Sequence, residues 1–316
     1  MAGRPALAAL PLRGRLTTTA PRVAVSVLHW GDPADTLRCL ASVAASAPAP
    51  ALVAVLDNGT GTLDAGALAH VAPVATLVRV PENLGFAGGH DLLLARALEA
   101  GATHVLLLNN DATVAPDAIA ALVRAATAEP RVGAVGAKVL SAADPTRLWL
   151  AWGRVTWRAA LVERVGRGQP DGPAFDDVRA VEWVPGCAML LTREAIATVG
   201  ALDEAFFAYH EDVDWCVRAR AAGFRILFAP AARVVHRGEG GRGLANPARY
   251  LSARNTMLFA RKHAGAREWL RLGVTIGASL ARETVRGDRA VTALLWRGYR
   301  DGLFGRPLPL RELGLR

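Results

Sequence analysis

The chain has 316 residues, 52% of them hydrophobic, which suffices for a full buried core and excludes a disordered or fibrous protein. Its three cysteines, Cys39, Cys187 and Cys216, are widely spaced and form no CxxC pair; this argues against a disulfide framework or zinc site and fits a reducing cytoplasm. The net charge of +9 is uneven: residues 1–216 carry 17 Lys and Arg against 22 Asp and Glu, residues 217–316 carry 20 against 6, so the C-terminal third is basic and suits an anionic partner or a solvated arginine-rich surface.

Residues 1–21 read as a mobile leader, because Pro5, Pro11 and Arg13 interrupt any signal-peptide core. Arg22–Trp30 reads as a buried first strand, and Asp35 opens a helix with Leu37, Leu40, Val43 and Ala44 on one face. A second strand ends on Asp57 and Asn58, and a third on Glu82 and Asn83. The run GFAGGHDLLLARALEAG, Gly85–Gly101, then predicts a glycine-rich turn and a helix, followed by a fourth strand ending on Asp111. A helix over Pro116–Ala128 and a strand over Arg131–Val139 lead into an irregular region, Ser141–Ala180. Order returns with VEWVPGCAMLLTR, a helix closed by Gly200, an acidic segment, and a pair of strands, FRILFAP and ARVVH, the second ending on His236. The longest apolar stretch, Leu272–Ala281, falls well short of the ~18 residues that a bilayer-spanning helix needs, so no span is expected.

Alternating strands and helices point to an α/β layer architecture. In an open parallel sheet the strand ends gather along one edge, where ligands bind, so Asp57, Asn83 and Asp111 are expected to be neighbours. Asp111 follows the apolar run LLLNN and could hold a divalent metal or cap the next helix. His236 is an acceptable further ligand for Mn²⁺. Glu211, Asp212 and Asp214 fall in the first turn of a helix that Gly223 terminates, where the macrodipole favours carboxylates. Three acids beside Phe206, Phe207 and Tyr209 exceed what capping requires, and a partly desolvated carboxylate near a cation is what a general base needs.

The stretches VAVSVLHWGDPADTLRCLASV, LDNGTG, PENLGFAGGHDLLLARALEAG, THVLLLNNDATVAPDAI, the long run from VEWVPGC to RVVH, and RNTMLFARKH occur in the order seen in family 2 glycosyltransferases. Over residues 22–263 the chain resembles that family's bacterial rhamnosyltransferase-like branch, which acts in cell-wall and O-antigen synthesis. The resemblance implies a GT-A fold, Rossmann-like with a mostly parallel sheet flanked by helices, and a helical C-terminal extension. It implies a nucleotide-binding half over about 22–140, an acceptor-binding half over about 141–263, and a basic extension over 264–316. It further implies an inverting transfer of a sugar from a nucleoside-diphospho-sugar to a hydroxyl of a glycan or lipid-linked acceptor. Asp57, Asn83, Gly85, Phe86, Asn110 and Asp111 would then bind the donor, and Asp111 with His236 would hold Mg²⁺ or Mn²⁺. Asp212 would be the base, supported by Glu211 and by an Asp214 paired with a residue such as Arg218. Trp183, Gly186 and Tyr209 are candidates for the acceptor side, Trp183 also for the core. Asn109 stands where many family members carry the first acid of a DxD element, which loosens the expectation of strict metal dependence.

Trp269, Leu270, Leu272, Trp296, Tyr299 and Phe304 interleave with arginines in the basic tail, a pattern suited to peripheral contact with the inner face of an anionic plasma membrane or to packing on the catalytic domain. A nucleotidyltransferase or dinucleotide oxidoreductase is disfavoured, because HWGDPADT after the first strand lacks the glycine-rich phosphate loop. A non-catalytic sugar-nucleotide binder of the same fold is the remaining alternative, and no nucleic-acid module is recognisable.

Overall fold

A computed structural model describes residues 20–238 and 245–315; the leader expected over 1–21 lies outside these residues apart from its last two positions. The first half alternates strand and helix: β1 (Val23–His29), α1 (Pro33–Ala44), β2 (Leu52–Asn58), α2 (Ala65–Val71), β3 (Ala75–Val80), α3 (Gly85–Glu99) and β4 (His104–Asn109). There follow β5 (Ala112–Val114), α4 (Ala118–Thr127), β6 (Val132–Ser141), β7 (Leu148–Leu150), β8 (Trp152–Val155), β9 (Val162–Val165), β10 (Arg179–Ala180), β11 (Ala188–Thr192), α5 (Arg193–Val199), α6 (Glu211–Ala221) and β12 (Arg225–His236). Three helices close the chain: α7 (Ala245–His263), α8 (Ala266–Val285) and α9 (Arg289–Leu303).

The main sheet runs in the order β10-β12-β6-β11-β4-β1-β2-β3. β1 pairs in parallel with β2 and β4, β2 with β3, and β6 with β12, while β11 lies antiparallel between β4 and β6. The parallel strands therefore all point one way, and their last residues, among them Asn58, Asn109 and His236, share one edge. β1 is buried along its whole length, as expected of a strand covered by helices on both faces.

Three local expectations need correction. GFAGG is no turn: it forms the first turns of α3, where Gly89 has no side chain to collide with Leu28 and Leu56 of the sheet. The pair FRILFAP and ARVVH is one strand, β12, whose pairing with β6 is interrupted by a bulge between Ala229 and Arg233; Pro230, which lacks an N–H, sits within it. On α1 the buried face is Thr36, Cys39, Leu40 and Val43, with Ala44 exposed. The irregular region holds the β8–β9 hairpin and a loop fastened by the buried Lys138 of β6, whose ammonium donates to Asp171 and Asp176, both at 2.7 Å.

In the tail, Leu272 and Tyr299 are buried, whereas Leu270, Trp296 and Phe304 are exposed. α9 lies on α7 at backbone contact: a Cβ at Gly302 would sit 2.0 Å from the Arg254 carbonyl oxygen, and one at Gly298 would sit 2.7 Å from that of Tyr250. The Tyr250 hydroxyl donates to Asp301 at 2.9 Å across the same seam. Gly302→Ala is therefore expected to destabilise the protein by about 1–3 kcal/mol through overpacking. Gly273→Ala, at an exposed helical site with nothing within 4 Å, should be neutral or slightly stabilising. Denaturant midpoints of the two variants make the comparison.

Candidate active site

A short 3-10 turn, Glu204–Phe206, is capped by Asp203, whose carboxylate accepts from the Ala205 amide at 2.9 Å. Between it and α6 the backbone enters the left-handed region at three non-glycine residues, Phe207 (φ 63°), Tyr209 (φ 73°) and His210 (φ 72°). Such residues are costly to hold there, so the surroundings must impose the conformation. They do so from two sides. Asn255 of α7 places its amide nitrogen 2.8 Å from the carbonyl oxygens of Phe206, Ala208 and Tyr209, and Arg254 donates to the Ala205 carbonyl at 2.9 Å. From α3, the Ala87 amide donates to the Phe207 carbonyl at 3.1 Å. Gly85, itself at φ +72°, approaches so closely that a Cβ would lie 2.4 Å from that oxygen.

This turn delivers the three acids of α6 into different environments. Asp214 is buried, ion-paired with Arg218 at 2.8 Å and Lys262 at 2.6 Å, and hydrogen-bonded to His263 at 2.8 Å. Burial works to raise its pKa, but these partners outweigh it and hold the group down at about 2. Asp212 accepts from the Gly186 amide at 2.9 Å and from the Val213 amide at 2.8 Å. Burial raises its pKa, opposed by those two amides and by the positive charge of Arg164. Glu211 is buried with Oε2 unpartnered; burial and the adjacent Asp212 charge push its pKa well above the ordinary value. Of the two, Asp212 is the one whose carboxylate is stabilised by backbone amides and a nearby arginine, whereas Glu211 Oε2 has no partner.

At the neighbouring strand ends, His236 Nε2 lies 2.9 Å from Asp111 Oδ1 and 3.1 Å from the Asn109 side-chain nitrogen. His236 Nδ1 is buried without a partner, and the Trp149 ring meets the imidazole edge-on at 4.3 Å. The sheet ties this cluster to Asp212, because the Asn109 amide donates to the Cys187 carbonyl at 3.0 Å and the amide of the preceding Gly186 binds Asp212. Cys187 lies between them, and burial first, then the neighbouring Asp111 and Asp212, raise its thiol pKa well above the ordinary value. Among the described residues no group of three or more His, Cys, Asp and Glu side chains forms a metal cage.

At the end of β2, Asn58 donates to Asn83 Oδ1 at 3.0 Å and to the Gly85 carbonyl at 3.2 Å, and accepts from the Leu84 amide at 2.9 Å. Asn83 in turn accepts from the Gly85 amide at 2.8 Å, so the two asparagines shape the segment Asn83–Phe86. Phe86 packs over Gly186, where a Cβ would lie 3.0 Å from its ring.

One cavity of about 1030 Å³ is lined by Asn83, Gly85, Phe86, Asn110, Asp111, His236, Glu211, Asp212, Gly186, Tyr209 and Trp183. All of the candidates except Asp57 thus share it. The Asp57 carboxylate instead gathers Thr60, Gly61 and Leu63 of the loop after β2 and does not line the cavity. Trp183 packs in the core against Gly153 and also lines the cavity, with its indole nitrogen unpartnered. Sequence reading missed Asn58, Arg164, His210, Arg254 and Asn255. Asn255 lay in plain view in RNTMLFARKH, but its targets are some 46–49 residues away along the chain. Exposed arginines, Arg158, Arg164, Arg167, Arg249 and Arg282, also line the cavity.

Residues 21–264 match the family described as "Glycosyltransferase like family 2". The N-acetylglucosaminyl-diphospho-decaprenol L-rhamnosyltransferase of Mycobacterium tuberculosis is 30% identical over 289 residues, 82% of this chain and 87% of that protein. Rhamnosyltransferase WbbL of Escherichia coli K12 is 36% identical over 56 residues, 18% of this chain and 21% of its own. Among solved structures, GalNAc-T7, crystallised with UDP, GalNAc and Mn²⁺, superposes with a TM-score of 0.55 at 13% identity, covering 81% of this chain and 54% of that one. With a mostly parallel sheet whose strand ends converge on one cavity, and with this likeness over most of its length, the chain belongs to the family 2-like glycosyltransferases, enzymes of GT-A fold that transfer sugars, within their rhamnosyltransferase-like branch.

Proposed function

We propose that the protein moves a sugar, rhamnose being the first candidate, from a nucleoside-diphospho-sugar to a hydroxyl of a lipid-linked diphosphate glycan, with inversion at the anomeric carbon. The observation that carries this reading is that Asp212, fixed by two backbone amides, shares a cavity with the Asp111–His236 pair. The segments 22–140 and 141–263 supply the donor and acceptor sides, and 264–316 the extension behind them.

In this mechanism the Asn58–Asn83 lock and Phe86 shape the pocket for the nucleotide, and Asp57 acts indirectly by organising its loop. Asp212 takes the proton of the acceptor hydroxyl as that oxygen attacks the anomeric carbon, on the face opposite the departing diphosphate. Glu211, protonated, offers a donor to a sugar hydroxyl and adds no second negative charge beside the base. Asp111 and His236 fit a divalent cation, since Mg²⁺ and Mn²⁺ at nucleotide sites take few protein ligands and complete their shell with water and phosphate oxygens. The imidazole favours Mn²⁺, the ion held in the GalNAc-T7 structure. When bound, such a cation neutralises charge on the leaving diphosphate. The arginines around the cavity suit an acceptor that carries a diphosphate of its own, as the substrate named for the mycobacterial relative does. No helix among the described residues is long and apolar enough to cross a membrane. The exposed Leu270, Val274, Trp296 and Phe304 among the arginines of the tail favour peripheral binding to the inner face of an anionic membrane instead.

Asp212→Asn should keep donor binding and lower transfer by about 10²–10⁴-fold. Because the base works only when ionised and its pKa is raised, wild-type kcat/KM should fall as pH drops through a midpoint above the usual aspartate value of about 3.9. Wild-type transfer by the variant across that range would refute the assignment. Asp111→Ala should weaken binding of nucleoside diphosphates in the presence of Mn²⁺ by roughly tenfold or more, read by calorimetry with UDP, GDP and dTDP. Cosedimentation with vesicles containing anionic lipid, and not with neutral ones, is expected for the wild type and should be reduced in a Trp296→Ser, Phe304→Ser double variant; equal binding to both vesicle types would exclude the membrane contact.

A further inference from the structure

Beneath the cavity a chain of side-chain hydrogen bonds runs from Asp57 to Asn110 through groups given no role above. Thr60 Oγ1 donates to Asp57 Oδ1 at 2.6 Å, and Thr62 Oγ1 lies 2.9 Å from Thr60 Oγ1. His29 Nε2 lies 2.9 Å from Thr62 Oγ1, and His29 Nδ1 lies 2.7 Å from Thr36 Oγ1. Asn110 Nδ2 reaches Thr36 Oγ1 at 3.0 Å and the Trp30 carbonyl at 3.3 Å. His29 and Thr36 are fully buried.

The direction of every link follows from the chemistry of the two ends. A carboxylate can only accept, so Thr60 commits its single proton to Asp57 and must accept from Thr62. Thr62 has then used its own proton and accepts from His29 Nε2–H. A neutral imidazole protonated at Nε2 is bare at Nδ1, which accepts from the Thr36 hydroxyl. Thr36 can then only accept, which is what the amide nitrogen of Asn110 requires. The far end gives the same answer independently: the Trp30 carbonyl cannot donate, so the Asn110 atom beside it must be nitrogen. Burial keeps the His29 pKa below its ordinary value against the pull of Asp57 and Asp32, consistent with a neutral ring. Asp57 is the anchor. Burial works to raise its pKa, but its hydrogen bonds from Thr60, Gly61 and Leu63 prevail and keep it ionised.

We propose that this polarised chain is a positioning element in which His29, locked as the Nε2–H tautomer, transmits the charge state of Asp57 to the orientation of the Asn110 amide. With both donors of that amide facing Trp30 and Thr36, its carbonyl oxygen is left for the cavity, one residue before Asp111. The loop after β2 and the Asn110–Asp111 turn are thereby set together, and the cavity receives an acceptor suited to a donor hydroxyl. His29 and Thr36 are positioning residues, as they act through Asn110. The consequence for the donor rests on the function proposed above; the tautomer does not.

The test has two arms. In protein labelled with ¹⁵N at its seven histidines, long-range proton–nitrogen spectra assigned with a His29→Gln variant should show His29 neutral at pH 7 with its proton on Nε2. A Nδ1–H or charged His29 overturns the proposal whatever the enzyme's substrate. In the second arm, Thr36→Val, which keeps shape and deletes the hydroxyl, should weaken binding of nucleoside diphosphates with Mn²⁺ by roughly tenfold at an almost unchanged melting temperature, and Thr36→Ser should restore it. The calorimetric probes are UDP, GDP and dTDP. If valine and serine behave alike, whether both bind normally or both fail, the hydroxyl does not position Asn110 and the proposal falls. If the wild type binds none of the three nucleotides while His29 holds the Nε2–H form, the chain stands and the donor reading is what fails.

Discussion

The arrangement depends on a strained turn. Phe207, Tyr209 and His210 sit in a backbone region that L-residues avoid, and they stay there because Asn255 binds the carbonyls of Phe206, Ala208 and Tyr209 while Gly85 and Ala87 receive Phe207. Release of either hold would let the turn relax and swing the start of α6 away from Gly186. The contact also explains why a glycine begins α3. Any side chain at position 85 would push α3 off Phe207 and the turn that carries it.

The fold then solves an electrostatic problem. Three carboxylates within four residues cannot all be buried and charged without compensation. Asp214 is compensated by Arg218 of α6 and Lys262 of α7, Asp212 by amides and a nearby arginine, and burial pushes Glu211 toward its neutral form. The helix N-terminus that carries them favours negative charge, which adds to the compensation. The C-terminal helices matter here too. α7 supplies Asn255, Lys262 and His263 to the turn and to Asp214, and α9 braces α7 through a seam that tolerates only glycine at its closest points.

Much of this could be read in advance. Polar residues at the ends of apolar runs located the ligand edge, because a parallel sheet must bury its strands and expose their tips. Asp111 and His236, 125 positions apart, meet because β5 and β12 pair antiparallel, Ala112 opposite His236. The order of the motifs carried the family. What failed were local readings in which glycine or proline stood for a break: GFAGG is helix, since its glycines serve close packing, and the strand through Pro230 continues past its bulge.

By itself, then, the sequence determined the α/β layering, the helical turn that bears the acids, and the residue types available for transfer chemistry, because these follow from periodicity and from what each side chain can donate, accept or ionise. Only the tertiary structure decided which of the three acids gathers cations and which gathers amides, that Asp57 lies outside the cavity, and that Asn255 holds the turn before α6. Those outcomes depend on burial and on hydrogen bonds between residues tens of positions apart, whose lengths and directions exist only once the chain has closed on itself.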